Sequence, residues 1–140
     1  MIIPKLAFLL VLVCSIPIFH AYGQIDDRPA QGVLREGIVG VKLLDAYFGT
    51  STEKMEVGPG DQNVPFTVSL ANISTTDIVG INAQLHVPTY FQSPHGINYP
   101  ILADSNTRAT MGDNFHLTFY LDISNGALTK TYPGTVDIDY

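Results

Sequence analysis

The chain has 140 residues, a formal net charge of −6, a single cysteine and no tryptophan. That length bounds it to about one ordinary domain. The acidic balance excludes a basic surface for nucleic acid or anionic lipid, and one thiol excludes an internal disulfide framework.

Residues 1–23 have the layout of a secretory signal peptide. Lys5 supplies the positive start, the run from Leu6 to Ile16 is the apolar core, and Pro17 ends it. Ala21 and Gly23 place small residues before the scissile bond, so Gln24 is the expected mature N-terminus. The run is shorter than the roughly 20 apolar residues of a spanning helix, and an uncleaved N-terminal anchor is the alternative. Cys14 lies inside this segment, without the small residues that precede a lipoprotein cysteine. Cleavage removes Lys5 and that cysteine, leaving 6 basic residues against 13 acids, a charge of −7. The expected destination is the extracellular medium or the cell surface, and stability there has to come from a hydrophobic core.

Residues 24–36 are polar and aperiodic and read as a flexible lead segment. From residue 37 the apolar pattern has period two. Val39, Val41 and Leu43 share one face of a first strand that runs towards Phe48. Gly58-Pro59-Gly60-Asp61 predicts a turn. Phe66, Val68 and Leu70 alternate with Thr67 and Ser69, and Ile81, Ala83, Leu85 and Val87 alternate with Asn82, Gln84 and His86 until Pro88. Residues 89–107, with Pro94, Gly96 and Pro100, read as a long irregular stretch. After a turn at Met111-Gly112-Asp113-Asn114 comes the clearest strand, with Phe115, Leu117, Phe119, Leu121 and Ile123 on one face. A last strand sets Val136 and Ile138 against Asp137 and Asp139. Strict alternation means one buried and one wet face per strand, as in antiparallel sheets. About seven such strands in about 100 residues predict an all-β, immunoglobulin-like antiparallel sandwich over residues 37–140, preceded by a signal helix. Phe66, Leu85, Phe119 and Val136 are its expected core, and a small barrel is the alternative fold.

Five stretches carry a family resemblance: Gly40-Val41-Lys42-Leu43; Val57-Gly58-Pro59-Gly60-Asp61; Pro65-Phe66-Thr67-Val68-Ser69-Leu70-Ala71-Asn72; the run from Met111 to Ile123; and Pro133-Gly134-Thr135-Val136-Asp137-Ile138-Asp139-Tyr140. Together they resemble the Ig-like β-sandwich domains of archaeal S-layer-related and other exported surface proteins, akin to the CARDB and NEW3 groups. The resemblance covers residues 37–140 and implies a structural or accessory module with no catalytic residues and no cofactor. Such domains usually occur as repeats in larger surface proteins. Only one copy is present here, so the chain reads either as a stand-alone domain or as the first module of a longer protein.

The residues give little catalytic chemistry. His86, His95 and His116 lack the close spacing of zinc ligands, so no metal is assigned. Asp113, Asp122, Asp137 and Asp139 form no calcium loop, although Asp137 and Asp139 share a face. No Gly-x-Ser-x-Gly elbow is present. Asn72-Ile73-Ser74 is an N-glycosylation sequon at a strand end, a position for an outward glycan on Asn72, with a plain turn residue as the competing role. The loop 88–100 gathers Tyr90, Phe91, His95 and Tyr99, side chains suited to contacting a sugar or a protein; folding back to cap the sandwich is the competing role. The expectation is a non-enzymatic, exported, S-layer-like surface module whose partners are other cell-envelope proteins or surface glycans. No nucleic acid is expected, and membrane contact only through an uncleaved signal. A secreted carbohydrate- or protein-binding module is the alternative.

Overall fold

The computed structural model describes Leu10–Leu12 and residues 40–140. The cleavage site, the lead segment and most of the signal predicted above lie outside these residues. Leu10–Leu12, read as part of a signal helix, forms a short strand instead.

The fold is all-β, and among the described residues there is no helix. Eight strands follow in chain order: β1 (Leu10–Leu12), β2 (Val41–Phe48), β3 (Val64–Asn72), β4 (Ile78–His86), β5 (Phe91–Gln92), β6 (Ile101–Ala109), β7 (Asn114–Ile123) and β8 (Tyr132–Asp139). They form two four-stranded sheets, ordered β2-β3-β7-β5 and β1-β8-β4-β6. Every pairing is antiparallel except that of β1 with β8.

The core follows from the alternation. Phe66, Val68 and Leu70 of β3 lie beside Phe119, Leu117 and Phe115 of β7, all 2% exposed or less. From the other sheet come Ile81 and Leu85 of β4 and Val136 of β8, equally buried. One apolar cluster takes side chains from both sheets, giving a β-sandwich-like body. Burying each large apolar side chain contributes about 1.5–3 kcal/mol. Phe48 and Phe66 meet edge to face at 5.2 Å, a geometry that adds to area burial.

Three features depart from simple alternation. A bulge between Leu43 and Asp45 shifts the register of β2. Leu44 is therefore left exposed, and the even-numbered Ala46 and Phe48 turn inward. β6 occupies much of the stretch expected to be irregular. The segment was obscured because Asp104, Ser105, Asn106, Thr107 and Arg108 face outward or lie at the edge, leaving Ile101, Ala103 and Ala109 as its inward residues. On β3 both faces are covered: Thr67 and Ser69 were expected to be wet but are buried. Thr67 donates Oγ1–H to the Gly49 carbonyl at 2.7 Å and lies 2.9 Å from the Thr118 hydroxyl, so its polarity is satisfied locally.

The turns follow their residue types. Gly58-Pro59-Gly60-Asp61 closes through the Asp61 amide on the Gly58 carbonyl at 3.2 Å, with Gly60 at φ 85°. That value suits the position a type II turn reserves for glycine. The Asp61 carboxylate accepts the Gly58 amide at 2.8 Å.

Candidate functional site

The loop 88–100 is a chain of tight turns. The Phe91 amide reaches the Pro88 carbonyl at 3.0 Å, Gly96 reaches Ser93 at 2.9 Å, and Tyr99 reaches Gly96 at 3.1 Å. This folding divides the four aromatic and imidazole side chains into two groups. Phe91 is 4% exposed and lies edge to face against Tyr132 at 5.1 Å. As a core residue it offers no face to a ligand. Tyr90 leans on the same Tyr132 at 5.7 Å, with the Lys130 ammonium 5.9 Å from the Tyr90 ring centre and 5.1 Å from that of Tyr132. These residues cap the end of the sandwich. His95 and Tyr99 form the second group, with ring centres 6.2 Å apart. Tyr99 is 61% exposed and the neighbouring Ile97 73%. The tip of the loop, with Ile97, His95 and Tyr99, is the part open to a partner.

Asn72 requires a correction. It is wholly buried. Its Nδ2 donates to the Thr76 carbonyl at 2.9 Å and to the Ala109 carbonyl at 2.8 Å. Its Oδ1 accepts from the Ser74 amide and hydroxyl, both at 2.9 Å. Both amide protons are committed, and no surface is left for a glycan. The sequon residues instead build a polar knot that ties the end of β3 to the end of β6 in the other sheet. The backbone of Asn72 extends it, donating to Asp113 and accepting from Gly112.

The remaining polar candidates are dispersed. His86 on β4 and His116 on β7 are exposed and belong to different sheets. Asp113 accepts the Thr110 hydroxyl at 2.7 Å and the Thr110 amide at 2.9 Å, which hold its carboxyl below the usual carboxylate range. Asp122, near the other end of β7, accepts the Asn63 amide at 2.7 Å. Asp45 is held low chiefly by its hydrogen bond from Lys54 Nζ at 2.8 Å, and that bond raises Lys54 in turn. The Lys54 ammonium also lies 4.6 Å from the Tyr47 ring centre.

One surface joins residues that the sequence shows only in pieces. On the outer face of the β8-β4-β6 sheet, register places Asn82 between Asp104 and Asp139, and Gln84 between Leu102 and Asp137. A shallow depression of about 450 Å³ lies over Asn82, Gln84, Leu102, Asp137 and Asp139. His86 borders this face, its Nε2 lying 2.9 Å from Asp137 Oδ2. Alternation marks Asn82, Gln84, Asp137 and Asp139 as outward-facing, but only the pairing of β6 with β4 brings Leu102 and Asp104 beside them.

No protein-family model, curated protein or solved structure matches the chain. The functional reading therefore rests on the fold and the surfaces just described.

Proposed function

We propose that the protein is an exported, non-enzymatic β-sandwich module of the cell surface, of the Ig-like kind found in S-layer-related proteins. Its role is structural or mediates surface interactions with envelope proteins or surface glycans. One observation carries the reading: large apolar side chains from both sheets meet in one packed core, so that Tyr90, His95, Tyr99, Asp137 and Asp139 all lie at loops, faces and edges. Strand order supports the Ig-like assignment. β2, β3 and β7 lie together as the first, second and fifth strands of an Ig-like sheet, and β4 pairs with β8 as its third strand pairs with the sixth. The signal-like segment of residues 1–23 and the acidic composition support export of a soluble domain.

The reading is tested with residues 24–140 expressed alone. It predicts cooperative unfolding and no turnover of generic ester, peptide or glycoside substrates. Metal-dependent hydrolysis abolished by His116→Ala would overturn it. The exposed tip of the loop favours a second reading, a carbohydrate- or protein-binding module. Tyr99→Ala would then weaken binding by more than about 1 kcal/mol, while Phe91→Ala would act only through folding.

A further inference from the structure

Phe66, Val68 and Leu70 of β3 fill the core, so alternation turns Pro65, Thr67 and Ser69 to the outer face of the β2-β3-β7 sheet. Register sets Ser69 between Asp45 of β2 and His116 of β7, Thr67 between Tyr47 and Thr118, and Pro65 beside Tyr120. The side chains of the middle strand are small and most of those flanking them are long. This face is therefore lowest along β3, between walls whose backbones stand about 10 Å apart, two strand spacings.

The two hydroxyls along that low line differ. Thr67 is committed to the Gly49 carbonyl and the Thr118 hydroxyl. Ser69 is 8% exposed and makes no side-chain hydrogen bond among the described residues, where every sealed side-chain polar atom has one. Its oxygen therefore reaches the surface, with donor and acceptor both unused. A hydroxyl so nearly buried without a partner is costly, and a ligand hydroxyl would remove that cost.

The walls supply matching groups. Lys54 is fixed by its 2.8 Å bond to Asp45 and by the Tyr47 ring, 4.6 Å from its ammonium to the ring centre. One of the three ammonium N–H groups meets Asp45, so the others are presented in a set orientation. His116 is exposed on the opposite wall, and Tyr120, beside it on the same strand, is 48% exposed.

The same face selects the class of ligand. The backbone of β3 is paired with β2 on one side and β7 on the other, so an extended peptide gains no main-chain pairing over it. Asp45 and Lys54 cancel, as do Lys42 at one end of the face and Asp122 at the other, which gives neither an anion nor a cation an advantage. A neutral sugar answers both conditions. Its hydroxyls donate and accept, as Ser69, Lys54, Asp45 and His116 require, and its C–H face can rest on the Tyr120 ring.

We infer that the outer face of β3, centred on Ser69, is a binding site for a neutral glycan chain. The site gives the surface-interaction role a location and a ligand class, and rests on that reading for the natural source of the glycan.

The test is an NMR titration of the isotope-labelled chain with cellohexaose, mannohexaose and chitohexaose, and separately with a heparin hexasaccharide. At least one neutral chain should give saturable shifts at the amides of Asp45, Ser69, His116 and Tyr120, and heparin should not. Tyr120→Ala should weaken that binding about tenfold, and Ser69→Ala several-fold. His116→Ala should also weaken it, and keeps the test available if either of the others does not fold. Saturation by none of the three neutral chains, equal binding of heparin, or an affinity unchanged in both Tyr120→Ala and Ser69→Ala would overturn the assignment. Shifts centred on the loop 88–100, with binding lost in Tyr99→Ala, would place the sugar at the loop tip and likewise overturn it. None of these outcomes depends on export or on the absence of turnover, so the two readings fail separately.

Discussion

The Tyr140 hydroxyl accepts the Gly40 amide at 3.1 Å, joining residues 100 positions apart across the side of the sandwich where β2 and β8 begin and end. A side chain at residue 40 would run directly into that hydroxyl and ring. Close approach, rather than an unusual φ, therefore sets the demand for glycine there.

Tyr140→Phe should cost about 1 kcal/mol by leaving the buried Gly40 amide without its acceptor. Urea unfolding should show a lower midpoint with an unchanged slope. An unchanged midpoint would mean that the contact adds nothing in solution.

Asn72→Ala should be among the most damaging single changes in the domain. It strands the Ala109 carbonyl and the Ser74 amide in a buried site. A loss of about 3 kcal/mol or more is expected. The same geometry predicts that the intact mass of the native protein carries no glycan at Asn72. A glycopeptide spanning that residue would contradict the buried knot.

The loop separates stability from exposure. Phe91→Ala should lose about 3–5 kcal/mol, as for a buried phenylalanine, because its ring packs on Tyr132 within the core. Tyr99→Ala should stay within about 0.5 kcal/mol of the parent protein. Thermal melts of the two variants check the contrast.

Acid should weaken the fold through Asp45 and Asp113, whose carboxyls are both held low in the folded protein. A folded value below the unfolded one contributes stability that is present above the unfolded pKa of about 4 and is lost as pH falls through the folded value. Asp45→Asn and Asp113→Asn should each flatten the fall in Tm between about pH 5 and pH 2. Lys54 is raised by the same pair, so its contribution is present below about pH 10 and is lost as pH rises through the folded value. Asp45→Asn should therefore flatten the alkaline limb as well, and Asp113→Asn should not. Both pairs are exposed, so added salt should shrink the Asp45–Lys54 effect.

Legibility in the sequence tracks how strongly each strand alternates. β7 is legible from Phe115 to Ile123 because five apolar residues occupy one phase without a break. β6 is not, since its run from Asp104 to Arg108 is polar and its identity as a strand comes from pairing with β4. The exposure of Thr67 and Ser69 could not be read from alternation, because their cover comes from neighbouring strands and the Gly49 carbonyl. Asn72 shows the same limit at the candidate sites. Its local sequence spells an acceptor for sugar, while its amide is consumed by Ala109, 37 residues away. The sequence also grouped Tyr90, Phe91, His95 and Tyr99 in one loop, but successive tight turns send the first two against Tyr132 and the others outward. The row Asp104–Asn82–Asp139 depended on strand order, which no local pattern contains.

The central claim is that this domain works outside the cell. The most direct measurement is mass spectrometry of peptides released by brief trypsin treatment of intact cells and of those in the medium, with the N-terminus of the recovered protein read in the same experiment. The account predicts peptides ending at Lys54, Arg108 or Lys130 from outside the cells, and an N-terminus at Gln24. Peptides recovered only after lysis, on a chain that still begins at Met1, would contradict it.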